Sequence, residues 1–291
     1  MGNGKICIIG VKIRQIFLIL SPNFENMTVK DILNCITEVA PLHWQESYDN
    51  AGLQVGDLNA ETHKALIALD VTEDLVDEAI EKCCDLIVSH HPLIFRGLKH
   101  LTPETYIERV ITKAIKHDIA IISMHTNLDN SYLGVSRVLA DCLGLRNLHL
   151  LQPSAAEPDL CGAGMVGEFE KPMEETEFLS LVADVIGSPC LKHSGLTGRR
   201  ISKVALCGGS GSPFMADAFR CGADAYLTAD IKYHDFFVPE GRLLLVDGGH
   251  FETEQFTKVL ISELIRKKFP TFAAEIAETN TNAIHYFVKN K

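Results

Sequence analysis

Three short stretches of this chain carry residue types that together could hold divalent metal ions. The tandem histidines of SHHP, Ser89 to Pro92, follow the apolar run DLIVS. Two neighbours at the end of an extended strand point to opposite sides, so His90 and His91 can serve two ions, or an ion and a substrate. Pro92 holds the residue before it in an extended conformation. HTNLDN, His125 to Asn130, adds a further imidazole and the carboxylate of Asp129 after the run AIIS. Taken alone, its asparagines and aspartate are equally good turn formers and helix caps. DGGHFETEQF, Asp247 to Phe256, is more specific, because two glycines allow a tight strand-to-helix turn just before His250. His250 and Glu254 are four residues apart and share one face of a helix, where they can chelate a single ion.

Imidazoles mixed with carboxylates suit Zn, Fe, Mn or Ni, whereas Mg or Ca would favour oxygen alone. His90, His91, Asp129, His250 and Glu254 are more ligands than one open site needs. The expectation is therefore two divalent metal ions a few ångströms apart, bridged by Asp129 or Glu254, activating a water and clamping a leaving oxygen. That chemistry is hydrolysis. His125 and Asp230 are the candidate catalytic residues for proton management, Asp230 serving as base or as support for a ligand. GGSGSP, Gly208 to Pro213, offers either a phosphate cradle or only a tight turn, since it lacks Walker or dinucleotide spacing.

These groups need elements that bring them together. From Met27, VKDILNCITEVAP reads as an amphipathic helix capped by Thr28 and closed by Pro41. KALIALD is a buried strand, TEDLVDEAIEKCC a helix, DLIVS a second strand, and AIIS with GVSRVLADCLGL a third strand and helix. SKVALCGG, SPFMADAFRCG, DAYLTAD, GRLLLVDGG and FTKVLISELIRKKF repeat this order. Displaced by 139 positions, Lys64 falls on Lys203, Asp85 on Asp224, Ser89 on Thr228 and His91 on Asp230. The fold class expected is α/β, two similar βα lobes arising by internal duplication with a metal cleft between them. Ligands of such sheets gather beyond the carboxyl ends of the strands, where the histidines lie. The division expected is an N-terminal extension over 1–26, a first lobe over 27–145, a connector over 146–200 and a second lobe over 201–291.

Composition narrows the function classes. With 291 residues, 46% apolar, the chain can bury a full core. A net charge of −11 with scattered basic residues argues against nucleic acid as a partner. Nine cysteines without CxxC spacing fit a reducing cytoplasm, with no disulfide framework. In the first 26 residues Lys12 and Arg14 leave only IFLIL as an apolar run, too short for a signal peptide core. No segment is long enough to span a bilayer.

YDNAGLQVGD, VSHHPLIF, HTNLDN, TADIKYHD and DGGHFETEQF occur in an order that resembles the NIF3-like family, also called GTP cyclohydrolase 1 type 2 homologues, from about Met27 to the C-terminus. That resemblance implies a two-lobed α/β fold, a dinuclear metal site between the lobes and assembly into toroidal hexamers. It assigns the ligands to His90, His91, Asp129, His250 and Glu254. The function expected is a metal-dependent hydrolase of a small phosphorylated or nucleotide-like substrate. The alternative is a non-catalytic, ring-shaped scaffold or regulatory interaction protein.

Overall fold

The structure is a computed structural model that describes residues 27–287. The expected extension over 1–26 lies outside the described residues. In chain order the strands are β1 (Gly52–Val55), β2 (Lys64–Ala68), β3 (Leu86–Ser89), β4 (Ala120–Ser123), β5 (Arg146–Pro153), β6 (Gly162–Met173), β7 (Lys192–His193), β8 (Ile201–Ser210), β9 (Ala225–Ala229), β10 (Leu244–Asp247) and β11 (Ala273–Ile276). They form two sheets, ordered β1-β4-β3-β2-β11 and β5-β6-β8-β9-β10-β7.

The first sheet is parallel except for its edge strand β1. Strand β2 shows why it is a buried central strand. Ala65 and Ile67 enter one apolar cluster, with helices Val29–Thr37 and Thr257–Lys268, while Leu66 and Ala68 enter the opposite one, with helices Glu73–Glu81 and Tyr106–Lys116. Alternate side chains leave a strand on opposite faces, so a strand covered on both sides must be apolar throughout. Helix Val29–Thr37 starts where the Thr28 side chain accepts from the Asp31 amide and Asp31 reaches back to the Thr28 amide, a capping box.

The second sheet has the same centre. Ala65 pairs with Leu86 in the first sheet, and Val204 with Ala225 in the second, which is the 139-residue displacement read from the sequence. Asp85 accepts hydrogen bonds from the amides of His63 and Lys64, and Asp224 from those of Ser202 and Lys203. Equivalent carboxylates therefore tie equivalent strand starts in both lobes. This supports the duplicated α/β architecture.

Two placements differ from the expected division. The segment 146–200 is not a connector, because β5, β6 and β7 all belong to the second sheet and helix Glu175–Ile186 buries Phe178, Val182 and Ile186 in its core. Nor does the chain stay in the second lobe to its end. Helix Thr257–Lys268 packs Leu260, Ile261 and Ile265 into the core of the first lobe, and β11 pairs with β2. A free edge on β2 supplied the partner that local sequence could not announce.

Candidate metal centre

The cleft is assembled at the carboxyl ends of β2, β3, β4, β9 and β10. Past Ser89 the chain bends, with the His90 amide donating to the Ala68 and Leu69 carbonyls and the His91 amide to the Leu69 carbonyl. The bend overturns the expectation that the tandem histidines face opposite sides, since their ring centroids are 4.9 Å apart on the same cleft. The pleat that would separate them ends with β3.

Every imidazole in the cleft is held from behind. His91 Nδ1 lies 2.7 Å from Asp70 Oδ1, His125 Nδ1 2.7 Å from Asp49 Oδ1, and His250 Nδ1 2.7 Å from Asp230 Oδ2. His90 Nδ1 lies 2.8 Å from the Met124 carbonyl. An oxygen acceptor at Nδ1 places the ring proton there and leaves Nε2 as the electron-pair donor, the arrangement that orients metal-ligating histidines. The unassigned partners Asp49 and Asp70 escaped the sequence reading. Their only signal is a carboxylate in a turn-rich loop and another just beyond a strand end, while a carbonyl such as that of Met124 leaves no signal at all.

The donor atoms converge. His91 Nε2 and His250 Nε2 are 3.2 Å apart, and Glu254 Oε2 lies 3.0 Å from the first and 3.1 Å from the second. His90 Nε2 is 3.5 Å from Asp129 Oδ1 and 3.7 Å from Glu254 Oε1. One donor atom each from His90, His91 and Glu254 fits within a 4.8 Å group. Among the described residues His90 Nε2, Asp129 Oδ1 and Glu254 Oε2 are buried without a hydrogen-bond partner. Leaving buried polar atoms unsatisfied costs about 1–3 kcal/mol each, and divalent cations in the cleft would relieve that cost. The residues present therefore fit a metal.

The carboxylates make the cleft a place that favours positive charge. Burial works against charge on His91, yet Asp70 and Glu254 raise its pKa to about 10. His250 rises to about 9 against the same burial penalty, through Glu254 and Asp230. His90 is also raised, by Asp129 and Glu254, despite being fully buried. Burial pushes Asp129 up, whereas Glu254, despite its own burial, is held well below its ordinary value by His90, His250 and His91. Asp49 is kept low, against its burial, by His125 and Thr126.

All five expected ligands thus lie in one cleft, with His125 beside them at ring distances of 5.4 Å from His90 and 5.5 Å from His91. Asp230 acts on the cleft through His250, the support role weighed for it. GGSGSP is no phosphate cradle, since the Gly208, Gly209 and Gly211 amides donate to Ser136, Thr253 and Thr228. His234 sits exposed on the turn Tyr233–Phe237, edge to face with Tyr233.

Two duplicated α/β units with imidazoles and carboxylates from both meeting in the cleft define a two-lobed protein with a candidate metal centre. Residues 27–283 match the family described as Duf34/NIF3 (NGG1p interacting factor 3), and the chain belongs to it. A Clostridium perfringens protein called "GTP cyclohydrolase 1 type 2 homolog" is 36% identical over 245 residues, covering 83% of this chain and 92% of that protein. A solved Staphylococcus aureus hypothetical protein superposes with a TM-score of 0.84 at 28% identity, over 90% of this chain and all of its own. A Bacillus cereus protein related to NIF3 shares the fold, with a TM-score of 0.84 at 24% identity over 89% of this chain and 99% of its own. Among the described residues no helix is long and apolar enough to cross a membrane.

Proposed function

We propose that the chain is a metal-dependent hydrolase of a small phosphorylated or nucleotide-like molecule, holding two divalent ions, of Zn, Fe, Mn or Ni, in the cleft between its lobes. The reading extends to a cytoplasmic homo-oligomer, a toroidal hexamer as the family resemblance implies. One observation carries it: four imidazoles, each held at Nδ1, present Nε2 around the carboxylates of Asp129 and Glu254. His90, His91, Asp129, His250 and Glu254 would be the ligands.

Divalent ions in such a site polarise a phosphoryl or carbonyl oxygen and lower the pKa of water. The chain's own residues do the rest. His90 and Glu254, 0% and 4% exposed, form the floor of the site. His91, Asp129 and His250, at 22%, 25% and 32%, form a rim that solvent and a small substrate reach. A purely structural metal site would be closed on all sides. His125 is committed to Asp49 through Nδ1, which leaves Nε2 to take up or deliver a proton beside the rim. The name carried by the Clostridium relative is compatible with this, since opening a guanine ring is a hydrolysis.

The test is metal analysis of the purified protein, followed by turnover assays on nucleotides and phosphoesters with added Mn, Zn or Fe. The expected result is divalent metal in the wild type and turnover that disappears in His250→Ala. If the loaded protein turns over nothing while Glu254→Gln loses assembly, the ring-shaped scaffold is the better reading.

A further inference from the structure

Beyond β11 the chain crosses from one lobe to the other instead of ending on the sheet. Because β11 runs parallel to β2, with Ile276 opposite Ile67, it delivers the following residues to the same end of the sheet as Asp70. The Ala277 amide still bonds the Ile67 carbonyl at 2.9 Å. Glu78 of helix Glu73–Glu81 then takes the amides of Glu278 and Thr279, each at 2.8 Å. The hydroxyl of Thr281, a residue only 9% exposed, donates to Asp70 Oδ2 at 3.1 Å. Finally the Asn282 side-chain amide and the Tyr286 hydroxyl, at 3.0 and 3.2 Å, both donate to Glu252 Oε1 in the second lobe.

The two ends of this crossing meet the candidate site from behind. Asp70 divides its oxygens, Oδ1 to His91 and Oδ2 to Thr281, so the threonine fixes the plane of the carboxylate that fixes the imidazole. Glu252 belongs to the helix His250–Glu254, the one that presents His250 and Glu254. Holding Glu252 therefore holds that helix against the first lobe.

We infer that residues 278–286 are an interlobe strap that sets the spacing of the candidate metal site, with Thr281 the positioning residue for His91 through Asp70 and Asn282 the positioning residue for the helix of His250 and Glu254. This rests on the cleft being a metal site. Groups that orient a ligand typically change metal affinity 10–100-fold when lost, and one further step removed the low end applies.

The experiment titrates the metal-stripped full-length protein with Co2+ alone, reading affinity by chelator competition and the visible spectrum of the bound ion. Thermal melting of each stripped variant confirms folding. Thr281→Val keeps the shape of the side chain and removes the hydroxyl, and should weaken Co2+ binding about tenfold and alter the spectrum. Thr281→Ser, which restores the hydroxyl, should return both to wild-type values. Asn282→Ala should weaken binding to a similar degree. If Thr281→Val and Asn282→Ala lower only the melting temperature and bind Co2+ as the wild type does, the strap is mere packing and the inference fails. Wild-type protein that binds no Co2+ would instead overturn the metal reading, and the strap's role with it.

Discussion

Asp230 has a left-handed backbone, φ 55°, at the end of β9, and its carboxylate holds His250. Asparagine tolerates the same backbone, so Asp230→Asn removes the charge without adding strain. Divalent metal affinity, measured by calorimetric titration, should fall by about 10–100-fold. An unchanged affinity would show that the carboxylate does not orient His250. Gly209 tests the opposite face of the site. Its φ is 61°, and a Cβ there would lie 2.0 Å from Glu254 Oε1 and 3.3 Å from His250 Nε2. Gly209→Ala should lose metal content while remaining folded, with a backbone cost of about 1–2 kcal/mol. Full metal content in this variant would mean that Glu254 can move aside without consequence. At this scale the sequence displayed the groups facing the cleft, because a histidine pair or an i,i+4 His/Glu pair is unusual by type and spacing. Of the groups behind them Asp230 stood out as the repeat's counterpart of His91, whereas Asp49 and Asp70 were hidden, since each looks like any loop acid.

Between helix Glu73–Glu81 and the chain end, one carboxylate does most of the holding. Burial alone would raise the Glu78 pKa, but Lys82 and the amides of Thr279 and Glu278 bring it down from 4.5 to about 2. A group lowered on folding stabilises the fold above its unfolded pKa, and that contribution disappears as pH falls through its folded pKa. The window is thus from 4.5 down to about 2. The stabilisation at neutral pH is about 3 kcal/mol, and Glu78→Gln should remove most of the acid dependence within that window. Amide exchange at Glu278 and Thr279 is the direct measurement. Equal protection factors at pH 6 and pH 3 in the wild type, with the intrinsic pH dependence of exchange divided out, would refute the assignment. The elements themselves were legible where burial imposes a run or an amphipathic period, as in β2 or helix Val29–Thr37. Which sheet β5, β6 and β11 would join was not, because partner choice depends on edges far away in sequence. The glycines of β6 made a strand look like a loop.

Across the whole molecule, the cleft takes His90, His91 and Asp129 from the first lobe and His250 and Glu254 from the segment bridging the second sheet to helix Thr257–Lys268. No ligand set of this kind exists until both lobes are folded and docked. A metal there binds the native state and not the unfolded chain, and stabilises it by about 2.7 kcal/mol when its concentration is a hundred times the dissociation constant. For a chain of this size each kcal/mol moves the melting temperature by about 2–4 °C. Stripping the metal with a chelator should therefore lower the midpoint by roughly 5–10 °C, restored by returning Zn or Mn. Glu254→Gln should already melt near the stripped value and gain little from added metal, because the carboxylate between His91 and His250 has lost its charge. The measurement is calorimetry or circular dichroism melting on matched samples. A wild-type protein that carries metal yet melts at the same temperature after stripping would place the ion away from the interlobe cleft.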